Sequence, residues 1–217
     1  MRGISELLLL LVVVLDLAIL TSTRLTTCIR TSALQGVLLA SLPATLLFEA
    51  AGRAPLHVVA LGVFLLLLKA FAIPMLLFRA VRAADVQHEV EPFVSLHVSV
   101  LIGTGLIAIS FWLATVLVLP RLAPSAMVVP AGLSTLLLGF LILVSRRQAV
   151  TQVIGYLMLE NGVFIFGQLL VREIPLAAEL AILLDLLVGV FVMGIAIYHI
   201  SREFDHIDTE RLTTLRG

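Results

Sequence analysis

Charge is scarce in this 217-residue chain: 13% of its residues are Asp, Glu, Lys or Arg, about half the roughly 25% of a soluble domain. With 61% apolar residues there is too little polar surface to cover a water-facing fold, which excludes a soluble globular enzyme. The charges that remain balance, 14 basic against 14 acidic, so no basic face is available for nucleic acid. The single cysteine, Cys28, excludes a disulfide framework, an iron–sulfur cluster and a thiolate-bound nickel–iron centre within the chain. Redox chemistry, if any, belongs to another subunit. The sequence also lacks an internal repeat and the paired broken helices of a transporter substrate site. Its histidines His57, His88, His97 and His206 have no partner at metal-ligand spacing, and Met75, Met158 and Met193 read as packing residues.

What the chain does have is long apolar runs. A bilayer crossing takes about 20 residues at 1.5 Å rise each, and seven runs qualify, near 4–23, 32–51, 55–78, 94–119, 126–144, 150–171 and 176–200. Short polar stretches separate them, among them Arg24 to Arg30, Arg79 to Glu91 and Arg146-Arg147. Backbone polar groups cannot stay unpaired in lipid, so runs this long are helices rather than barrel strands. The expected architecture is an all-α polytopic transmembrane bundle of about seven helices. Asp16 interrupts the first run and no small-residue cleavage site follows it, so this run reads as a retained helix rather than a secretory signal.

Arginines outside the runs set the orientation. Four (Arg2, Arg53, Arg121, Arg172) fall on the N-terminal side and nine (Arg24, Arg30, Arg79, Arg82, Arg146, Arg147, Arg202, Arg211, Arg216) on the other. The N-terminus is therefore expected outside and the C-terminus in the cytoplasm. The mixed-charge tail 201–217, with spaced Phe204, Ile207, Leu212 and Leu215, suits a segment lying on a protein surface or a frayed end.

Four ionisable residues fall near the middle of expected helices: Asp16, Lys69, Glu160 and Asp185. Insertion scales place roughly 2.5–3.5 kcal/mol on an Asp or Lys at a helix centre, so a chain that only anchors something would use leucine there. Asp16 and Lys69 have matching depths and are expected to form an ion pair if the first and third helices touch; such a pair can simply fix register. Pro74, five residues after Lys69, frees a backbone carbonyl and predicts a kink beside the lysine. On the seventh helix Ala181, Asp185, Gly189, Ala196 and His199 fall on one face at 100° per residue. Small residues there admit a close neighbour, and His199 extends the face toward the cytoplasmic boundary. Glu160 shares its own face with Tyr156 and Gly167. Burial in low dielectric disfavours the charged form, so such groups can hold, release and regain a proton. For Glu160 and Asp185 a proton-relay role is favoured over structural pairing.

The run Ser145-Arg146-Arg147, then Ile154-Gly155-Tyr156-Leu157-Met158-Leu159-Glu160-Asn161-Gly162, resembles the hydrogenase-4 component E family, HyfE. So do Asp185 to Tyr198, the ending Ile207-Asp208 with Leu212 to Gly217, and Lys69-Ala70-Phe71-Ala72-Ile73-Pro74. The last three helices also resemble the small complex I subunit NuoK and the antiporter subunit MrpC. Asp185 matches the third-helix glutamate of those families, whereas Glu160 stands one turn beyond their second-helix glutamate, at Leu157. The resemblance divides the chain into a family-specific four-helix part (1–122), a NuoK-like three-helix part (123–200) and a cytoplasmic tail (201–217). It implies a non-catalytic subunit of a group 4 nickel–iron hydrogenase-type, complex I-like assembly in a prokaryotic plasma (inner) membrane. Its partners would be the lipid bilayer, antiporter-like membrane subunits and a peripheral redox arm. No cofactor is expected in this chain; a nickel–iron centre and iron–sulfur clusters would sit in partner subunits. Glu160, Asp185, Lys69 and Asp16 would be links in a mid-membrane proton path, with His199 as proton access from the cytoplasmic side. The competing expectations are a structural scaffold of that complex and a subunit of an Mrp-type cation/proton antiporter.

Overall fold

The structure, a computed structural model, describes residues 3–52, 56–83, 94–117 and 125–170. Every regular element among the described residues is helical: α1 (Gly3–Thr21), α2 (Leu25–Ala51), α3 (Leu56–Leu66), a π-helical turn (Leu67–Ala72), α4 (Ile73–Ala83), α5 (Leu96–Val116), α6 (Val128–Ser145) and α7 (Ala149–Leu170). Helix α3, the π turn and α4 run on as one span, so among the described residues six segments are long and apolar enough to cross a membrane. They coincide with the first six expected runs. The seventh run, with Asp185 and His199, lies outside the described residues, as do the tail and the 84–93 loop.

One boundary differs from expectation. Helix α2 begins at Leu25 rather than near 32, so Arg30 is an exposed residue inside a helix and not part of a connection. Its polar start, Thr26-Thr27 and Arg30-Thr31-Ser32, breaks the apolar run without breaking the helix, since Cys28, Ile29, Ser32 and Gln35 still follow a buried stripe. Arg146 lies in the expected connection between α6 and α7, is 1% exposed there and donates from Nη2 to the Leu20 carbonyl at 2.8 Å. That bond brings the C-terminal ends of α1 and α6 together and satisfies one of the orphan carbonyls there.

The bundle is closed by close approaches. Between α6 and α7, a Cβ at Gly139 would lie 2.5 Å from the Leu159 nitrogen, and one at Gly162 would lie 2.6 Å from that of Leu136. The two helices thus pack backbone to backbone, antiparallel, through small residues, as lipid-embedded helices do in place of hydrophobic attraction. Glu49 near the end of α2 caps α1, its Oε1 accepting from the Ile4 and Ser5 N–H groups at 3.1 Å each and its Oε2 from the Ser5 hydroxyl at 2.6 Å. A carboxylate on the exposed donors of a helix start complements the dipole. Gly52 then ends α2 at φ +69°, its N–H donating to the Phe48 carbonyl, a left-handed cap that a side chain would strain. Helix α5 buries only small residues, Ser99, Gly103, Ser110 and Ala114, and leaves Leu101, Trp112 and Val116 outward.

Candidate functional site

Six polar residues that α1, α2, the π turn, α6 and α7 bury form one connected network. Lys69 lies eleven residues into the Val58–Arg79 span and ten from its end, so about 15 Å of helix flanks it on either side. Its Nζ donates to Glu160 Oε1 and to Asn161 Oδ1, each at 2.7 Å. The ammonium also stands 5.2 Å from the centre of the Phe164 ring, within cation–π range. Asn161 Nδ2 donates to Gln35 Oε1 at 3.2 Å, and Gln35 Nε2 donates to Asp16 Oδ1 at 2.6 Å. The Thr135 hydroxyl closes the chain on Asp16 Oδ2 at 2.6 Å. Asp16, Gln35 and Thr135 are fully buried, and Lys69, Glu160 and Asn161 are at most 6% exposed.

The direction of these bonds follows from their ends. An ammonium only donates, so Asn161 must turn its oxygen to Lys69 and its NH2 onward; Gln35 repeats this toward the carboxyl of Asp16. Three donations thus run in one sense from Lys69 to Asp16. An amide keeps its own protons, so this branch carries polarisation rather than a proton.

Local sequence explains why Lys69 reaches this place. The π turn widens the ladder, with the Ile73 N–H bonding to the Leu68 carbonyl five residues back, and Pro74 directly after it has no N–H to restore the α pattern. The distortion expected beside Lys69 is therefore a π turn, a feature frequent at functional sites. Gly36 makes room for it: a Cβ there would lie 2.8 Å from Lys69 Cβ and 3.2 Å from the Lys69 carbonyl.

The expected Asp16–Lys69 ion pair is not formed. Helix α2 supplies Gln35 between the two, and Lys69 pairs with Glu160 while Asp16 takes neutral donors. Sequence reading missed Gln35, Thr135 and Asn161 because only ionisable groups were weighed; Gln35, a polar residue inside Leu34 to Leu39, carried the available signal. Asn161 stood in the quoted motif without a role. Asp185 and His199 lie outside the described residues, and Met75, read as packing, is 57% exposed on the bundle surface. Composition sharpens the picture. Lys69 is the one lysine among 14 basic residues, and Asn161 is the one asparagine.

One relative that spans most of the chain is a mycobacterial protein. Over 191 residues, 87% of this chain and 84% of the other, it is 35% identical to the uncharacterized protein Rv0085 of Mycobacterium tuberculosis. The chain belongs to that protein's family. It is also 35% identical over 86 residues to hydrogenase-4 component E of Escherichia coli K12 and of Shigella flexneri. That match spans 40% of this chain and 40% of those proteins. No family model matches, and no solved structure does.

Proposed function

We propose that this chain is a non-catalytic membrane subunit of a hydrogenase-type, complex I-like assembly in a prokaryotic inner membrane, and that Lys69 and Glu160 are a link in its mid-membrane proton path. The partial likeness to hydrogenase-4 component E supports the assembly; antiporter-like subunits and a peripheral redox arm would be its partners, and any nickel–iron centre or iron–sulfur clusters would be theirs. The observation that carries the path is the choice of residue at Lys69. Every other basic residue of the chain is arginine, which holds its proton permanently, whereas lysine can give one up. In the 2.7 Å contact the proton can pass from Nζ to Oε1, converting an ion pair into a neutral amine and acid that cost less to bury. Asp185 would be the next carrier and His199 the cytoplasmic access. Asp16, reached only through two amides, would anchor the network rather than conduct.

A second reading, a scaffold role, is favoured by the same network, since it ties together five helical elements. A mild-detergent pull-down of tagged chain, with partner mass spectrometry and metal analysis, tests the assembly. Nickel and iron with antiporter-like subunits support it; antiporter subunits without either metal point to a cation/proton antiporter instead. In the isolated complex, Glu160→Gln separates the two roles. A path residue assembles and loses proton pumping, whereas a scaffold residue loses assembly.

A further inference from the structure

Away from the network, the outer side of the π turn and α4 forms an open apolar groove of about 630 Å³ that ends at two arginines. Its walls are Phe71, Pro74, Met75 and Phe78, with Ala70 and Ala72 giving it depth. Phe71 is 65% exposed and Met75 57%, within a span long and apolar enough to cross a membrane. Arg79 and Arg82 share one helix face at a spacing of three residues, are both exposed, and close the groove where the span ends. Among the described residues neither guanidinium makes a hydrogen bond or ion pair. From Phe71 to Arg82 is eleven residues, about 16 Å of helix, which matches one leaflet of a roughly 30 Å hydrocarbon core.

We infer that this groove binds an anionic phospholipid, one acyl chain lying along Phe71, Pro74 and Met75 and the headgroup phosphate held by Arg79 and Arg82. A neighbouring apolar helix would fill the groove equally well but would leave the arginines without a counter-charge. A zwitterionic lipid would fill it and offer them a phosphate whose charge its own amine offsets. Two guanidiniums at headgroup height favour net negative charge and can take a phosphate in the bidentate manner. The inference stands independently of which assembly the chain joins.

The test uses the purified, delipidated full chain in mild detergent, exposed to equal amounts of phosphatidylglycerol and phosphatidylcholine with identical acyl chains. Bound lipids are counted by native mass spectrometry. The expected preference for phosphatidylglycerol is roughly 10- to 30-fold, from two basic residues at the surface. In Arg79→Ala/Arg82→Ala that preference falls by about tenfold. In Arg24→Ala/Arg30→Ala, which removes two other exposed arginines, it stays within about twofold of the unmodified chain. Met75→Trp, which narrows the groove and keeps both arginines, weakens retention of both lipids. Equal retention of the two lipids by the unmodified chain would overturn the inference and leave the groove to a neighbouring helix. An equal loss in both arginine pairs would also overturn it, as diffuse surface attraction.

Discussion

Glu160 and Asp16 are buried carboxyls joined by one hydrogen-bonded network, and they are stabilised in opposite ways. Glu160 faces a cation at 2.7 Å. Asp16 faces an amide and a hydroxyl, each at 2.6 Å. In an apolar medium either arrangement offsets part of the cost of a buried polar group, but only the first places a transferable proton in the contact. Burial, which the two share, therefore does not decide a role. The chemistry of the nearest donor does.

The largest effect expected from breaking this asymmetry is at Lys69. Lys69→Leu leaves Glu160 without its cation and should destabilise the protein by about 3–5 kcal/mol, read from denaturant titration of the purified chain. The double variant Lys69→Leu/Glu160→Leu should recover most of that, because an apolar pair replaces the ionic one. At the other end, Asp16→Leu strands the Gln35 and Thr135 donors at a cost of about 1–3 kcal/mol, whereas Asp16→Asn retains an acceptor oxygen and should cost less. Proton pumping by the assembled complex should survive Asp16→Asn better than Glu160→Gln; equal loss in both would erase the distinction between the two carboxyls. Gly36→Ala pushes a methyl against Lys69, 2.8 Å from its Cβ, and should cost about 1–3 kcal/mol by overpacking. Thr135→Val removes one interhelical hydrogen bond and should cost about 0.6 kcal/mol, the usual size in a membrane.

The helices were legible in the sequence because continuous apolar runs of membrane length leave the backbone one solution. The start of α2 was not, since Arg30 and its threonines look like a connection but lie on a helix whose buried stripe continues past them. Asp16, Lys69 and Glu160 were visible as costly residues, and the distortion beside Lys69 was visible from Pro74. Their pairing was not. Lys69 and Glu160 are 91 residues apart, Asp16 and Thr135 are 119 apart, and Gln35 and Asn161 are 126 apart. Which partners meet depends on helix neighbours, and those are set by Gly36 against the π turn and by the α6–α7 glycines, whose effect exists only once the helices pack. The neutral residues Gln35, Thr135 and Asn161 gave little sign of their part, because an uncharged polar side chain in a membrane helix is cheap enough to be common.

Proton transfer through Lys69 is tested most directly by proton pumping in the assembled complex carrying Lys69→Arg, with assembly checked alongside. Arginine preserves the positive charge beside Glu160 but does not release a proton. The expected complex assembles and turns over without pumping. Pumping at the unmodified rate would contradict that transfer, because a fixed charge would then suffice at that position.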